Sequence, residues 1–308
     1  MATSEDLLIG KSKATARMRA SIAKAAQSEF TVLIEGESGT GKELVARAIH
    51  GASERRTQPL ISVNCAVLPR ELAESELFGH EKGAFTGAHG LKIGKFEQAH
   101  MGTLFLDEIG EMDISLQAKL LRAIEEGEIE RLGGGKPIKV DIRLIAATNR
   151  NLRQAVADGR FREDLYFRLN VLTIRTPPLR DRLEDVPLLA RHFISRFQSK
   201  SGRNVLGFTK QAISLLCHYH WPGNVRELRN AIQRALAMGC TEFIEPQDVL
   251  EQVEFPEEMT MDEAVQDVKR QYFMKAVLAA DGDRKKAAEL LNIHPKSLLR
   301  ILKTYGLG

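Results

Sequence analysis

Seven consecutive residues, Gly36-Glu37-Ser38-Gly39-Thr40-Gly41-Lys42, carry the most specific chemistry in this 308-residue chain. Glycines at this density let backbone N–H groups close around phosphate oxygens, and a helix beginning at the end of the run adds a partial positive charge. Lys42 would then reach the outer phosphates. Glu43 stands where Ser or Thr usually offers magnesium a hydroxyl. A second constellation lies downstream, where an apolar run ends in Asp107-Glu108. Successive strand side chains face opposite ways, so the two acids take different roles. Asp107 suits magnesium, directly or through water, and Glu108 suits activation of an attacking water. Asn64 and Thr148-Asn149 also end apolar runs, and Asn149 can orient water or touch a γ-phosphate. Together these residues point to binding and hydrolysis of a nucleoside triphosphate with Mg2+.

Such chemistry needs a scaffold that brings strand ends together. The β-branched and apolar run Thr31–Glu35 reads as a buried strand, and Glu43–His50 as the helix after the loop. Leu60–Asn64, Gly102–Leu106, Val140–Ala147 and Val171–Ile174 read as further strands. Residues 12–28, Glu71–Phe78 and Leu116–Glu126 read as helices between them. This alternation predicts an α/β fold, a doubly wound parallel sheet that binds ligands beyond the carboxyl ends of its strands. After Pro178 the pattern is all helical: Val186–Ser199, Lys210–His218 and Val225–Met238, the last capped by Trp221-Pro222-Gly223-Asn224. The expected division is an α/β subdomain over 1–174, a helical lid over 175–250, a linker over 251–260 and a small helical unit over 261–308.

Composition agrees with a globular protein, at 43% hydrophobic and 28% charged residues. No apolar stretch reaches membrane-span length, and the N-terminus lacks the layout of a signal peptide. Cys65, Cys217 and Cys240 are far apart, which suits a reducing cytoplasm better than a disulfide framework. His80, His89, His218, His220 and His294 have no neighbours in sequence that suggest a metal site. The net charge of +3 is unevenly spread: residues 251–267 hold seven acids and no Lys or Arg, and residues 284–308 hold six bases against one acid. A basic C-terminus hints at nucleic acid.

Five motifs carry a resemblance over nearly the whole chain: GESGTGKE (Gly36–Glu43), ESELFGHEKGAFTGA (Glu74–Ala88), GTLFLDE (Gly102–Glu108), FREDLYFRLN (Phe161–Asn170) and WPGNVREL (Trp221–Leu228). They are similar to those of the AAA+ ATPases that activate sigma-54-dependent bacterial promoters. The resemblance implies that Gly36–Glu43 bind ATP, that Asp107 and Glu108 serve metal and water, and that Asn64 pairs with Glu108 and switches its orientation. It implies Arg162 and Arg168 as arginine fingers for a neighbouring subunit, Arg226 as the lid's nucleotide sensor, and Leu8-Ile9-Gly10, with Ile9 at its centre, as the segment near adenine. In that family Glu43 is ordinary at its position. The sigma contact would be made by Gly83, Ala84, Phe85, Thr86, Gly87 and Ala88, with Glu128–Lys139 as a second pore-side loop.

The C-terminal residues resemble the Fis-type helix-turn-helix of many such activators. Met261–Ala280 and Arg284–Leu291 read as its first helices, and Pro295–Lys303 as a recognition helix. Arg284, Lys285, Lys296, Ser297, Arg300 and Lys303 would meet double-stranded DNA. The implied protein is a cytoplasmic, ATP-driven transcription activator that forms dimers and a hexameric ring, and remodels sigma-54 RNA polymerase holoenzyme. Family members often carry an N-terminal sensory domain; here the ATPase motifs begin within ten residues, implying a separate regulatory partner or a shortened chain. Two rivals stand beside this reading: another AAA+ remodelling machine such as an unfoldase, and a DNA-binding repressor with a degenerate ATPase.

Overall fold

The computed structural model describes residues 8–202, 204–239, 241–250, 280, 284–291, 293–294, 297–298 and 300. It divides into two compact units, Met1–Gln252 and Val253–Gly308. In the first, a five-stranded sheet is built from β1 (Val32–Glu35), β2 (Leu60–Asn64), β5 (Thr103–Asp107), β8 (Arg143–Thr148) and β9 (Leu172–Arg175). Their order is β2-β5-β8-β1-β9 and every pair is parallel. The short strands β3 (Gly79–His80) and β4 (Lys92–Ile93) form one antiparallel hairpin, and β6 (Glu128–Ile129) and β7 (Ile138–Lys139) another.

Period-two alternation decides which helices cover which face. Leu33, Leu104, Leu106, Leu144 and Ala146 pack with side chains from α3 (Arg70–Phe78), α5 (Ile114–Glu126), α6 (Leu152–Ala157) and α7 (Glu163–Leu169). Val32, Ile34, Phe105, Ile145, Ala147 and Ile174 face the other way, against α1 (Lys13–Ala26) and α2 (Lys42–Gly51). Between α3 and α5 lies the short α4 (Lys95–Gln98). Strands buried on both faces explain why β1 and β8 read as continuous apolar runs.

The strand expected over Val140–Ala147 begins later, at Arg143. Val140 N–H instead donates to Gly127 O at 2.8 Å, closing the second hairpin. Arg143 is fully buried and donates to the carbonyls of Ala25 and Ala26 at the end of α1.

After β9 the chain runs through a 3-10 segment, Leu179–Asp185, into α8 (Val186–Ser201), α9 (Lys210–His218), α10 (Asn224–Met238) and α11 (Pro246–Leu250). A two-stranded parallel patch, β10 (Gly207–Phe208) with β11 (Phe243–Ile244), escaped the sequence reading. Trp221, fully buried, donates its indole N–H to Leu216 O at 2.8 Å and fixes the turn into α10.

In the second unit the described helix is α12 (Arg284–Leu290), with Ala280, Ala287, Ala288 and Leu298 in one apolar cluster. The expected linker 251–260 and all but the last residue of the expected helix 261–280, together with Pro295, Lys296, Lys303 and Cys240, lie outside the described residues.

Candidate nucleotide site

The register of the sheet brings the predicted residues to one edge. Asn64 sits opposite Asp107, and Glu35 opposite Thr148, so four strands end in polar residues along one edge. The glycine loop leaves β1 at this edge. Gly36 N–H donates to Thr148 O at 3.2 Å, and a Cβ on Gly36 would lie 1.9 Å from Thr176 Oγ1, so only glycine fits. A cleft of about 730 Å3 opens here, with Gly36, Glu37, Thr148, Asn149 and Arg150 in its wall.

Lys42, the first residue of α2, is 6% exposed and curls back into the loop. Its Nζ donates to Gly36 O at 3.0 Å, Glu37 O at 3.4 Å and Glu108 Oε1 at 3.3 Å. The other Glu108 oxygen accepts the Asn149 N–H at 3.2 Å. Glu108 has a left-handed backbone, φ 51°, uncommon for a residue other than glycine. Asp107 accepts the Glu108 N–H at 3.0 Å. Burial first, then the Glu108 charge, raises the Asp107 pKa above its ordinary value against the pull of Lys42. Two carboxylates and one lysine thus share the strand end, and a cation brought among them would be favoured.

Among the described residues no group of three or more His, Cys, Asp or Glu is placed to hold a metal by itself. Mg2+ takes one or two carboxylates and completes its shell with phosphate oxygens and water, and Asp107 with Glu108 offers such a pair. The nearly buried Lys42 ammonium, aimed into the loop, is the matching feature for phosphate.

The other expected residues have these surroundings. Asn64 does not meet Glu108: its Oδ1 accepts the Ala66 N–H at 2.9 Å, and Glu108 is taken by Lys42 and Asn149. The Glu43 side chain pairs with Arg47 one turn along the exposed face of α2, at 2.7 Å. Glu37 turns its carboxylate to the lid, where Arg180 holds it in a bidentate pair at 2.5 and 2.8 Å. Arg162 is paired with Asp164 at 2.6 Å, and Arg168 is exposed in the last turn of α7. Arg226 does reach the loop, donating Nη1 to Ser38 Oγ at 3.0 Å. Ile9 is half-buried, between Leu8 and Gly10, whose carbonyls both accept from Arg19.

Sequence reasoning missed the residues that join loop to lid. Asn224, fully buried with φ 55°, donates Nδ2 to Glu37 Oε2 at 3.1 Å and Ser38 O at 3.0 Å, and accepts from Leu179 N–H at 2.8 Å. Arg182 donates to Thr40 O at 3.0 Å, and Thr40 and Thr176 share a hydroxyl bond at 2.8 Å. Asn at a helix start is visible as a cap signal; its loop partners, more than 180 residues away in sequence, are not.

The Gly83–Ala88 segment closes on itself at the tip of the β3–β4 hairpin, with Gly83 N–H on Ala88 O at 2.9 Å and Ala88 N–H on Phe85 O at 3.0 Å. Phe85 is 39% exposed, edge-on to His80 with ring centroids 5.0 Å apart. The second hairpin supports it: Glu81 N–H donates to Leu132 O at 2.9 Å, and Arg131 bridges Glu81 and Glu97. Of the residues expected on DNA, Lys285 and Arg300 are exposed and Ser297 is half-buried; Arg284 begins α12.

A family model described as the sigma-54 interaction domain matches residues 8–175, and one described as the AAA+ ATPase lid domain matches residues 180–266. The chain is 50% identical over 297 residues to the regulatory protein AtoC of Escherichia coli strain K12, covering 92% of this chain and 64% of AtoC. It is 50% identical over 296 residues to the transcriptional regulatory protein ZraR of the same strain, covering 95% of this chain and 67% of ZraR. The chain thus spans about two thirds of the length of these relatives. Crystalline NtrX from Brucella abortus in complex with ADP superposes with a TM-score of 0.79 at 34% identity, over 97% of this chain and 70% of NtrX. No helix among the described residues is long and apolar enough to cross a membrane. With an AAA+ fold of parallel sheet and helical lid, and more than half its length matched by the family model, this chain belongs to the sigma-54 interaction domain family of transcriptional regulators.

Proposed function

We propose that the chain hydrolyses ATP in a ring of identical subunits and uses the cycle to remodel sigma-54 RNA polymerase through Gly83–Ala88 while held on upstream DNA. One arrangement carries this reading: an exposed aromatic and hydroxyl, Phe85 and Thr86, at a glycine-bounded hairpin tip in the same unit as the Lys42–Glu108 site. Family membership and an ADP-bound structural relative support the nucleotide.

The resting contacts suggest how the residues act. Lys42 is satisfied by two carbonyls and Glu108. Phosphate oxygens are stronger acceptors for an ammonium than carbonyls, so a bound triphosphate draws Lys42 away and leaves the Glu108 carboxylate free to accept a proton from water. Mg2+ at Asp107 would neutralise charge on the phosphates. Asn149, whose N–H holds Glu108 Oε2, keeps the carboxylate turned to the strand edge. Arg162 or Arg168 of the next subunit supplies the remaining cation. Asn64, set opposite Asp107, is one strand away from Glu108 and becomes its partner once Lys42 has left.

Residues 284–303 are proposed as the DNA reader, with the exposed Lys285 and Arg300 toward phosphates. Affinity for an upstream element should then fall steeply with salt. The cytoplasm is the compartment that this activity requires.

Purified protein is tested for sigma-54 binding with ATP, ADP or an ATP transition-state mimic, beside Thr86→Ala with hydrolysis measured in both. Binding with the mimic alone, lost in Thr86→Ala while hydrolysis survives, is expected. Active hydrolysis without sigma binding in any nucleotide state would replace this reading with an unfoldase.

A further inference from the structure

A carboxylate inside a loop built to hold a triphosphate needs a reason, since like charges repel across the short distances of such a site. Glu37 is that carboxylate. It faces the lid: both oxygens are held by Arg180, and Oε2 also accepts from Asn224 Nδ2 at 3.1 Å. The pairing is strong enough to lower the Glu37 pKa to about 2, through the Arg180 hydrogen bonds first, against burial, and with help from Asn224.

Glu37 is one of four consecutive loop residues held by the lid. Ser38 O accepts from Asn224 and Ser38 Oγ from Arg226; Gly39 O accepts the Arg226 N–H at 3.3 Å; Thr40 O accepts from Arg182. The fit is close enough that a Cβ on Gly39 would lie 2.3 Å from Gly223 O. The Ser38, Gly39 and Thr40 contacts, at 3.0 to 3.3 Å, all have neutral acceptors, and all but Ser38 Oγ are backbone carbonyls. The Glu37–Arg180 pair is different: both side chains are nearly half exposed, at 43% and 42%, so they can part without leaving a buried charge. Asn224 couples the two ends, because its carboxamide bonds Glu37, the loop backbone and Leu179 N–H together.

From this geometry we infer that Glu37, with Arg180 and Asn224, is a charge latch that sets the lid on the phosphate loop, making Glu37 a positioning residue and not a nucleotide ligand. This deepens the ATPase reading above and rests on it for its kinetic consequences. The latch holds the loop in register for phosphate in the docked lid. When it parts, the lid and Glu37–Thr40 loosen together, and nucleotide affinity falls.

The alternative is that Glu37 acts only as a charge, and the two ideas differ in sign. Glu37→Gln removes a negative charge beside the phosphates while keeping an acceptor for Asn224. If charge alone mattered, nucleotide would bind more tightly. With the latch, KM for ATP rises about 5- to 20-fold while kcat changes less than about 3-fold. Arg180→Met should match it, Arg180→Lys should recover part of the loss, and the double variant should be no worse than either single one, because both break one contact.

Amide hydrogen exchange of the whole chain, followed in segments 36–42 and 221–228, supplies a readout that needs no turnover. Both segments are expected to exchange faster together in Glu37→Gln and Arg180→Met. Unchanged exchange and unchanged KM in both variants would overturn the latch. So would tighter ADP binding by Glu37→Gln with unchanged exchange. Wild-type protein that hydrolyses no ATP, yet shows the linked exchange response, would instead remove the ATPase reading and leave the latch standing.

Discussion

Lys42 Nζ lies 3.3 Å from Glu108 Oε1, with the lysine 6% and the glutamate 17% exposed, so the proposed phosphate-binding cation and the proposed water-activating base neutralise each other. The pair keeps a buried ammonium satisfied and holds the base away from water. Glu108→Gln retains a hydrogen-bond acceptor for Lys42 but removes the base. Hydrolysis should fall about 10²–10⁴-fold, with ADP affinity within a few-fold of wild type. Phosphate-release kinetics and calorimetric ADP titration check this.

Gly39 and Gly41 both have left-handed backbones, φ 79° and 103°, but differ in surroundings. A Cβ at Gly41 meets nothing within 4 Å, whereas one at Gly39 meets Gly223 O at 2.3 Å. Gly41→Ala should cost only backbone strain, about 1–3 kcal/mol. Gly39→Ala adds a clash with the lid backbone, so its melting temperature and ADP affinity should both fall further. Thermal unfolding of the two variants side by side gives the order.

Asp185 ties the start of α1 to the lid. Its carboxylate accepts from Lys11 and Ser12 N–H, Ser12 Oγ and Thr15 Oγ1, at 2.6 to 2.8 Å. Burial pushes its pKa up, and these hydrogen bonds outweigh it, leaving the pKa below the ordinary value. A pKa lowered by folding adds stability above the unfolded value, roughly 3.9, and loses it as pH falls from there through the folded value. Asp185→Asn should lower the melting temperature at pH 7 and flatten its decline below about pH 4. Glu37 acts in the same direction, reduced by its exposure, so some slope should remain.

Arg168 is exposed in the last turn of α7. If it serves a neighbour's site, Arg168→Ala should slow hydrolysis by about 10³-fold or more. Lys42→Ala should be inactive as well. Mixing the two inactive proteins should restore measurable hydrolysis, because some interfaces then join an intact Lys42 site to an intact Arg168. An assay across mixing ratios, with no recovery at any ratio, would remove the trans role.

Phe85 packs against His80 in a T-shaped pair and is 39% exposed. Phe85→Ala should therefore cost at most about 1 kcal/mol of stability. Sigma-54 binding with a transition-state mimic should be lost. Chemical denaturation and a pull-down separate the two effects.

The chain by itself determined the local elements. Leu60–Asn64 and Lys210–His218 form as read, because strand and helix periodicity, turn glycines and cap residues act within a few neighbours. It also determined the identity of the chemical groups: a glycine loop followed by Lys42, and Asp107-Glu108 closing an apolar strand. Tertiary structure alone decided who meets whom. The order β2-β5-β8-β1-β9 sets strands from opposite ends of the α/β unit side by side, and parallel pairing leaves no turn signal to announce it. Glu37 reads as a phosphate-loop residue until the fold brings Arg180 to it across 143 positions. Asn64, read as the partner of Glu108, holds Ala66 N–H in this structure, while Lys42, nearly buried, holds that carboxylate. Backbone preference is written locally, whereas ion pairs and buried hydrogen bonds form between side chains that only the closed fold makes neighbours.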